Sequence, residues 1–155
     1  KVFAVLSALF GAALAYMCGD SYVLSSIPAW NTLLLPLGYL GTAAPAGIAA
    51  YIICTYTKEK PDRFLGIVLA TCGILAAVSA ALFVLTSGAD ALIGFGVCVL
   101  VGGIIPVVMG VFLKTQTARA FALVSLICAS GGVFAFRCLM WMSGEHLYSL
   151  FGTVF

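Results

Sequence analysis

The chain has 155 residues, of which 64% are hydrophobic and 8% charged, with a net charge of +2 at neutral pH and a mean hydropathy of +1.23. A soluble domain carries about a quarter charged residues, so there is too little polar surface here to cover a water-facing globule. The composition excludes a soluble enzyme and implies an all-α, multi-pass transmembrane helix bundle with five spans in a single domain.

In chain order the apolar runs are residues 2–18, 33–56, 64–86, 91–113 and 120–142. Each is near the length that a tilted helix needs to cross about 30 Å of hydrocarbon. Lys1 runs directly into the first of them with no initiator Met ahead of it. The sequence is therefore expected to begin inside a longer chain, whose upstream part is open to include a signal peptide.

Basic residues set the expected orientation. Lys58, Lys60 and Arg63 lie between the second and third runs, and Lys114 and Arg119 between the fourth and fifth. With Lys1, all of them fall on one side of five alternating spans, the cytoplasmic side by the bias of Lys and Arg in short loops. Asp20, Trp30, Asp90 and the C-terminal segment with Glu145 and His146 fall outside.

The first outer linker, GDSYVLSSIPAWNT, is the longest polar stretch. Its Tyr22 and Trp30 suit the headgroup zone, and a short interfacial segment stopped by Pro28 is expected there. The second run carries Gly38, Gly41, Ala44 and Gly47 with Pro36 and Pro45; the fourth carries Gly94, Gly96, Gly102, Gly103 and Pro106. Such small residues permit close helix packing and the prolines permit kinks. A broken helix lining a transport path is the alternative use of the same pattern.

Counting removes several chemistries. No two of the six cysteines are closer than ten residues apart, so no C-x-x-C site or iron–sulfur run exists. They read as small hydrophobes. His146 is the only histidine, and one histidine cannot supply a bis-His haem. None of the five runs contains Asp or Glu, and neither a phosphate loop nor a dinucleotide fingerprint is present. The chain is expected to bind no cofactor or metal of its own, to have no catalytic residue and to have no nucleic-acid partner.

What remains is Asp20, Tyr22, Trp30, Arg137, Glu145, His146 and Tyr148. Arg137 stands eighteen residues after Arg119, a rise of about 27 Å, close to the full hydrocarbon thickness. Its guanidinium can snorkel to the outer interface, or it can face inward and bind a carboxylate, a quinone oxygen or a partner subunit. If the helix runs past Gly144, Glu145 projects within about 80° of Arg137. His146 is either an ordinary surface residue or a proton acceptor matched to a two-proton redox reaction.

Two stretches resemble the membrane anchor subunit of the dimethyl sulfoxide reductase family. One is YMCGDSYVLSSIPAWNTLLLPLGYLGTAAPAG, with Tyr22, Pro28 and Trp30 ahead of a small-residue span. The other is GGVFAFRCLMWMSGEHLY, with an arginine late in the last span and then aromatics and a histidine. The chain is similar to the later half of such an anchor. The resemblance implies a haem-free subunit of the bacterial cytoplasmic membrane, with its C-terminus outside. It would pass electrons from menaquinol to an iron–sulfur subunit that serves a molybdopterin catalytic subunit in anaerobic respiration. Arg137, His146, Glu145, Tyr148, Tyr22 and Trp30 become the candidates for quinol binding or partner docking. Half of a secondary transporter and a structural membrane scaffold are the competing expectations.

Overall fold

A computed structural model describes residues 2–27, 29–56, 63–113 and 118–151; the side chains of Ala4 and of residues 145–151 lie outside that description. Five helices account for most of it. They are α1 (Val2–Asp20), α2 (Leu34–Thr55), α3 (Arg63–Ser87), α4 (Ala91–Val111) and α5 (Ala118–Phe151). Helices α2 to α5 are each long and apolar enough to cross a membrane, and α1 adds a shorter apolar stretch, Val5–Asp20. The chain is a multi-pass helical membrane protein, as its composition requires.

The described helix ends fall within two residues of the five expected spans, with one exception. Helix α5 continues through Gly144 to Phe151, nine residues beyond the expected end at Met142. Hydropathy stops at Met142, but helical hydrogen bonding does not, because SGEHLYS contains no proline and its glycine faces a neighbour that favours a missing side chain. A Cβ on Gly144 would lie 2.6 Å from the Trp30 ring.

Helices α2, α3, α4 and α5 form a four-membered ring in which α2 packs on α3 and α5, and α4 on the same two helices. Helix α1 stands outside the ring, against α2. The burial pattern explains the ring. In α5 the buried positions Ala118, Ala122, Ser125, Ala129, Gly132, Phe136, Leu139 and Ser143 alternate steps of four and three. That is the seam of a left-handed bundle. Helix α1 has no such stripe; Phe3, Phe10 and Leu14 are all well exposed.

The middle of the ring is a seam of small residues. On α3, Gly66, Ala70, Gly73 and Ala77 face Gly110 and Gly103 of α4; a Cβ on Gly73 would lie 2.8 Å from the Gly103 carbonyl oxygen. On the other side of α4, a Cβ on Gly102 would lie 2.7 Å from Cα of Gly132 in α5. These backbones touch directly, the arrangement by which membrane helices gain contact without a hydrophobic drive.

Helix α4 is not a uniform α-helix. Gly94–Ile104 is a π-helix, closed by Ile105 N–H donating to the Leu100 carbonyl. Pro106 follows at once; its ring would clash with a carbonyl four residues back in an α-helix, and widening the turn relieves that clash. The buried positions Gly94, Cys98, Gly102, Pro106 and Gly110 recur every four residues. This departure from a plain α-span is the main difference between the observed fold and the one read from sequence.

Arg63 and Arg119 begin α3 and α5 at one end of the bundle, the basic end; Lys1, Lys58, Lys60 and Lys114 lie outside the described residues. A small-residue core of Ala49, Ile52, Leu69, Leu113, Ala118 and Ala122 sits toward that end. Toward the opposite, aromatic end the core is built on Trp30, Tyr39, Phe83, Phe136, Leu139 and Met140.

Candidate functional site

The aromatic end is organised by the linker between α1 and α2, which runs as a series of turns; Pro28, the expected stop of an interfacial segment, lies outside the described residues. Trp30, which by type suits the headgroup zone, is turned into the bundle. Its ring is buried, and Nε1 donates to the Met140 carbonyl of α5 at 2.8 Å. The indole needs both an apolar wall and a hydrogen-bond acceptor, and α5 supplies both, with Gly144 beneath the ring.

Around Trp30 the rings interlock. Tyr22 lies edge-on to Trp30 at 6.4 Å and stacks on Tyr39 at 6.0 Å, and Trp141 stands perpendicular to Trp30 at 5.4 Å. Tyr39 meets Phe136 edge-on at 6.0 Å, and Phe136 meets Phe83 at 5.0 Å. Pairs of this geometry add about 0.5–1.5 kcal/mol each beyond area burial. Gly38 admits the Phe136 ring against α2, so the small-residue stripe of α2 serves this cluster as well as helix packing.

Arg137 lies on the exposed side of this cluster, with its guanidinium carbon 5.3 Å from the centroid of the Tyr39 ring. Among the described residues that ring is its one partner. A cation over an aromatic face gains about 0.5–2 kcal/mol, depending on how far water is excluded, and among the described residues no acceptor engages its N–H donors. The Tyr39 hydroxyl is turned inward and donates to Sδ of Met140 at 3.4 Å.

A cleft of about 190 Å³ opens beside this pair. Three helices each present one face to it: Gly11, Leu14, Ala15 and Cys18 of α1; Tyr39, Thr42 and Ala43 of α2; Val133, Phe136 and Arg137 of α5. Helix α2 is the floor, and α1 and α5 are opposite walls. Thr42 Oγ1 donates to its own helix at Gly38 O, 2.7 Å away. That leaves Arg137 as the cleft's charged donor.

Of the residues picked out by sequence, Tyr22, Trp30 and Arg137 come together at this end. The backbone of Glu145, His146 and Tyr148 is helical, so the register of about 80° between Arg137 and Glu145 is kept; their side chains lie outside the described residues. Asp20 is exposed at the end of α1, and Asp90 caps α4, accepting from Ile93 N–H at 3.0 Å. Sequence reading missed Tyr39, Phe136, Trp141 and Cys18. The signal for Tyr39 was a hydroxyl-bearing ring within an apolar span, close to its aromatic end. All six cysteines are free thiols. No family model, no curated protein and no solved structure matches this chain.

Proposed function

We propose that the chain is the membrane anchor of a quinol-linked oxidoreductase of the bacterial cytoplasmic membrane, with its C-terminus outside. In this reading the Arg137–Tyr39 cleft holds the head of a menaquinol-type quinol. An iron–sulfur subunit docks on the aromatic end and serves a molybdopterin catalytic subunit in anaerobic respiration. The observation that carries the reading is Arg137 itself: a guanidinium near the end of a span, backed by an aromatic face, lining a cleft and partnered by no carboxylate among the described residues.

The chemistry follows from that placement. A planar guanidinium offers two parallel donors to a ring oxygen, and those bonds strengthen as the oxygen gains negative character on losing its proton. Oxidation of the quinol releases two protons and two electrons; the partner's iron–sulfur clusters would take the electrons. The protons would leave at the aromatic end, with His146 as the acceptor, an imidazole being the side chain suited to that task near neutral pH. The chain would position, orient and dock, with no redox centre of its own.

The test uses membranes with matched amounts of wild type, Arg137→Lys and Arg137→Gln. Both variants are expected to insert normally and to lose quinol oxidation, Gln more than Lys, while iron and molybdenum copurify with wild type. Wild-type turnover in Arg137→Gln, or a haem spectrum belonging to this chain, would overturn the reading. The transporter and scaffold alternatives predict no quinol-dependent turnover at all.

A further inference from the structure

The cleft is wedge-shaped along α1. At its aromatic end Gly19 lies against the backbone of Pro36, a contact that any side chain at position 19 would break. Eight residues earlier, about 12 Å along the helix, a Cβ on Gly11 would meet nothing within 4 Å. Helix α1 packs along α2, most tightly where Gly19 meets Pro36, and faces α5 across the cleft. The space runs from the Arg137 guanidinium past Ala43 and Val133 to the open face at Gly11, and it becomes wholly apolar within a turn of Arg137.

We infer that this wedge is a lateral binding groove for the linear hydrocarbon tail of an amphiphile whose oxygen-bearing head meets Arg137, with α1 as its outer wall. The head's identity as a quinol rests on the function proposed above; the tail groove rests on the wedge geometry alone. Three features favour a tail over other occupants. The cleft is continuous with a charged donor at one end only, which matches a molecule polar at one end only. At about 190 Å³ it is smaller than the roughly 300 Å³ at which pockets for whole drug-sized ligands begin, so a ring would be held and the tail would extend outward along α1. A further helix would need about 8–10 Å of interaxial room and would have to lift α1 from Pro36.

The groove is tested in native membranes with two photoreactive probes, each with a diazirine on an isoprenoid chain: a quinol and a head-free isoprenoid alcohol. Gly11→Phe fills the open end without a clash, and Gly131→Phe places the same ring in open space outside the cleft. In wild type and Gly131→Phe, both probes are expected to label α1 and α5 peptides in preference to α3. In Gly11→Phe, labelling should fall at least fivefold, and the half-saturating concentration of a long-tailed quinol should rise by a similar factor. A quinol with a short, water-soluble tail should be unaffected. Equal labelling of α3, or unchanged long-tail behaviour in Gly11→Phe, would overturn the groove. Labelling by the alcohol without any quinol oxidation would leave the groove standing and sink the quinol assignment instead.

Discussion

The aromatic end and the small-residue seam solve one problem in opposite ways. Lipid is as apolar as a leucine side chain, so helices in a bilayer need a reason to touch that is not burial from water. The seam finds it by subtraction: Gly66, Gly73, Gly102, Gly103, Gly110 and Gly132 remove side chains until backbones meet. The aromatic end finds it by addition, with large rings in edge-on and stacked contact and one indole hydrogen bond across the bundle. The difference has a functional consequence. Backbone contact leaves no room and no free group, whereas interlocked rings leave an outer ring face, and on that face sits the cation of the cleft. The cleft and its cation both lie at the end built by addition.

That contrast can be broken most decisively at Trp30. Trp30→Ala removes a buried ring and one of the two side-chain donors to the Met140 carbonyl, the other being Ser143 Oγ, and should cost about 3–5 kcal/mol. Denaturant unfolding in detergent should show it, together with new proteolysis in residues 21–33. If Trp141→Ala, which trims a half-exposed ring, is equally damaging, the buried indole is not the anchor of that end.

Next in size is Gly132→Leu, which drives a side chain into Gly102 of α4 and should cost about 1–3 kcal/mol by overpacking. The unfolding midpoint should fall while the 21–33 linker stays protected. Arg137→Gln should sharpen the contrast from the other side. It removes an exposed cation from the face of the buried Tyr39 ring, so its stability cost should stay below about 1 kcal/mol, while quinol-linked turnover is lost. The smallest effect belongs to Gly131→Leu. Gly131 adjoins Gly132 in sequence but faces open space, and the change should stay within about 0.5 kcal/mol. Similar damage at positions 131 and 132 would dissolve the seam as described.

Five spans were legible because uninterrupted hydropathy and one-sided basic loops are one-dimensional signals. Arg137, Tyr22 and Trp30 were legible as polar or amphipathic residues in an apolar chain. The burial of Trp30 was not. A tryptophan near a span end belongs by type to the interface, and only the fold-back of its linker onto α5 shows that Met140 and Gly144 receive it. Tyr39 and Phe136 were hidden for a related reason. Each looks like an ordinary span residue until α2 and α5 are placed side by side. The continuation of α5 past Gly144 was left open by the sequence because hydropathy reports where apolar surface stops, while helix continuation depends on backbone hydrogen bonds and the absence of proline.

The π segment of α4 has a consequence for how that helix tolerates change. Its buried positions beat at four residues, from Gly94 through Cys98, Gly102 and Pro106 to Gly110, while those of α5 beat at three and four. A substitution scan is therefore expected to record two different rhythms in neighbouring helices. Sensitive sites in α4 should fall on an every-fourth-residue comb with Gly103 added to it, and those in α5 on the uneven comb of an α-helical seam. Deleting one residue between 98 and 102 would throw the outer half of that comb out of phase with Val84, which Gly94 now admits. The same deletion beyond Gly110 would leave the comb intact and change only the length of the exit toward the basic end.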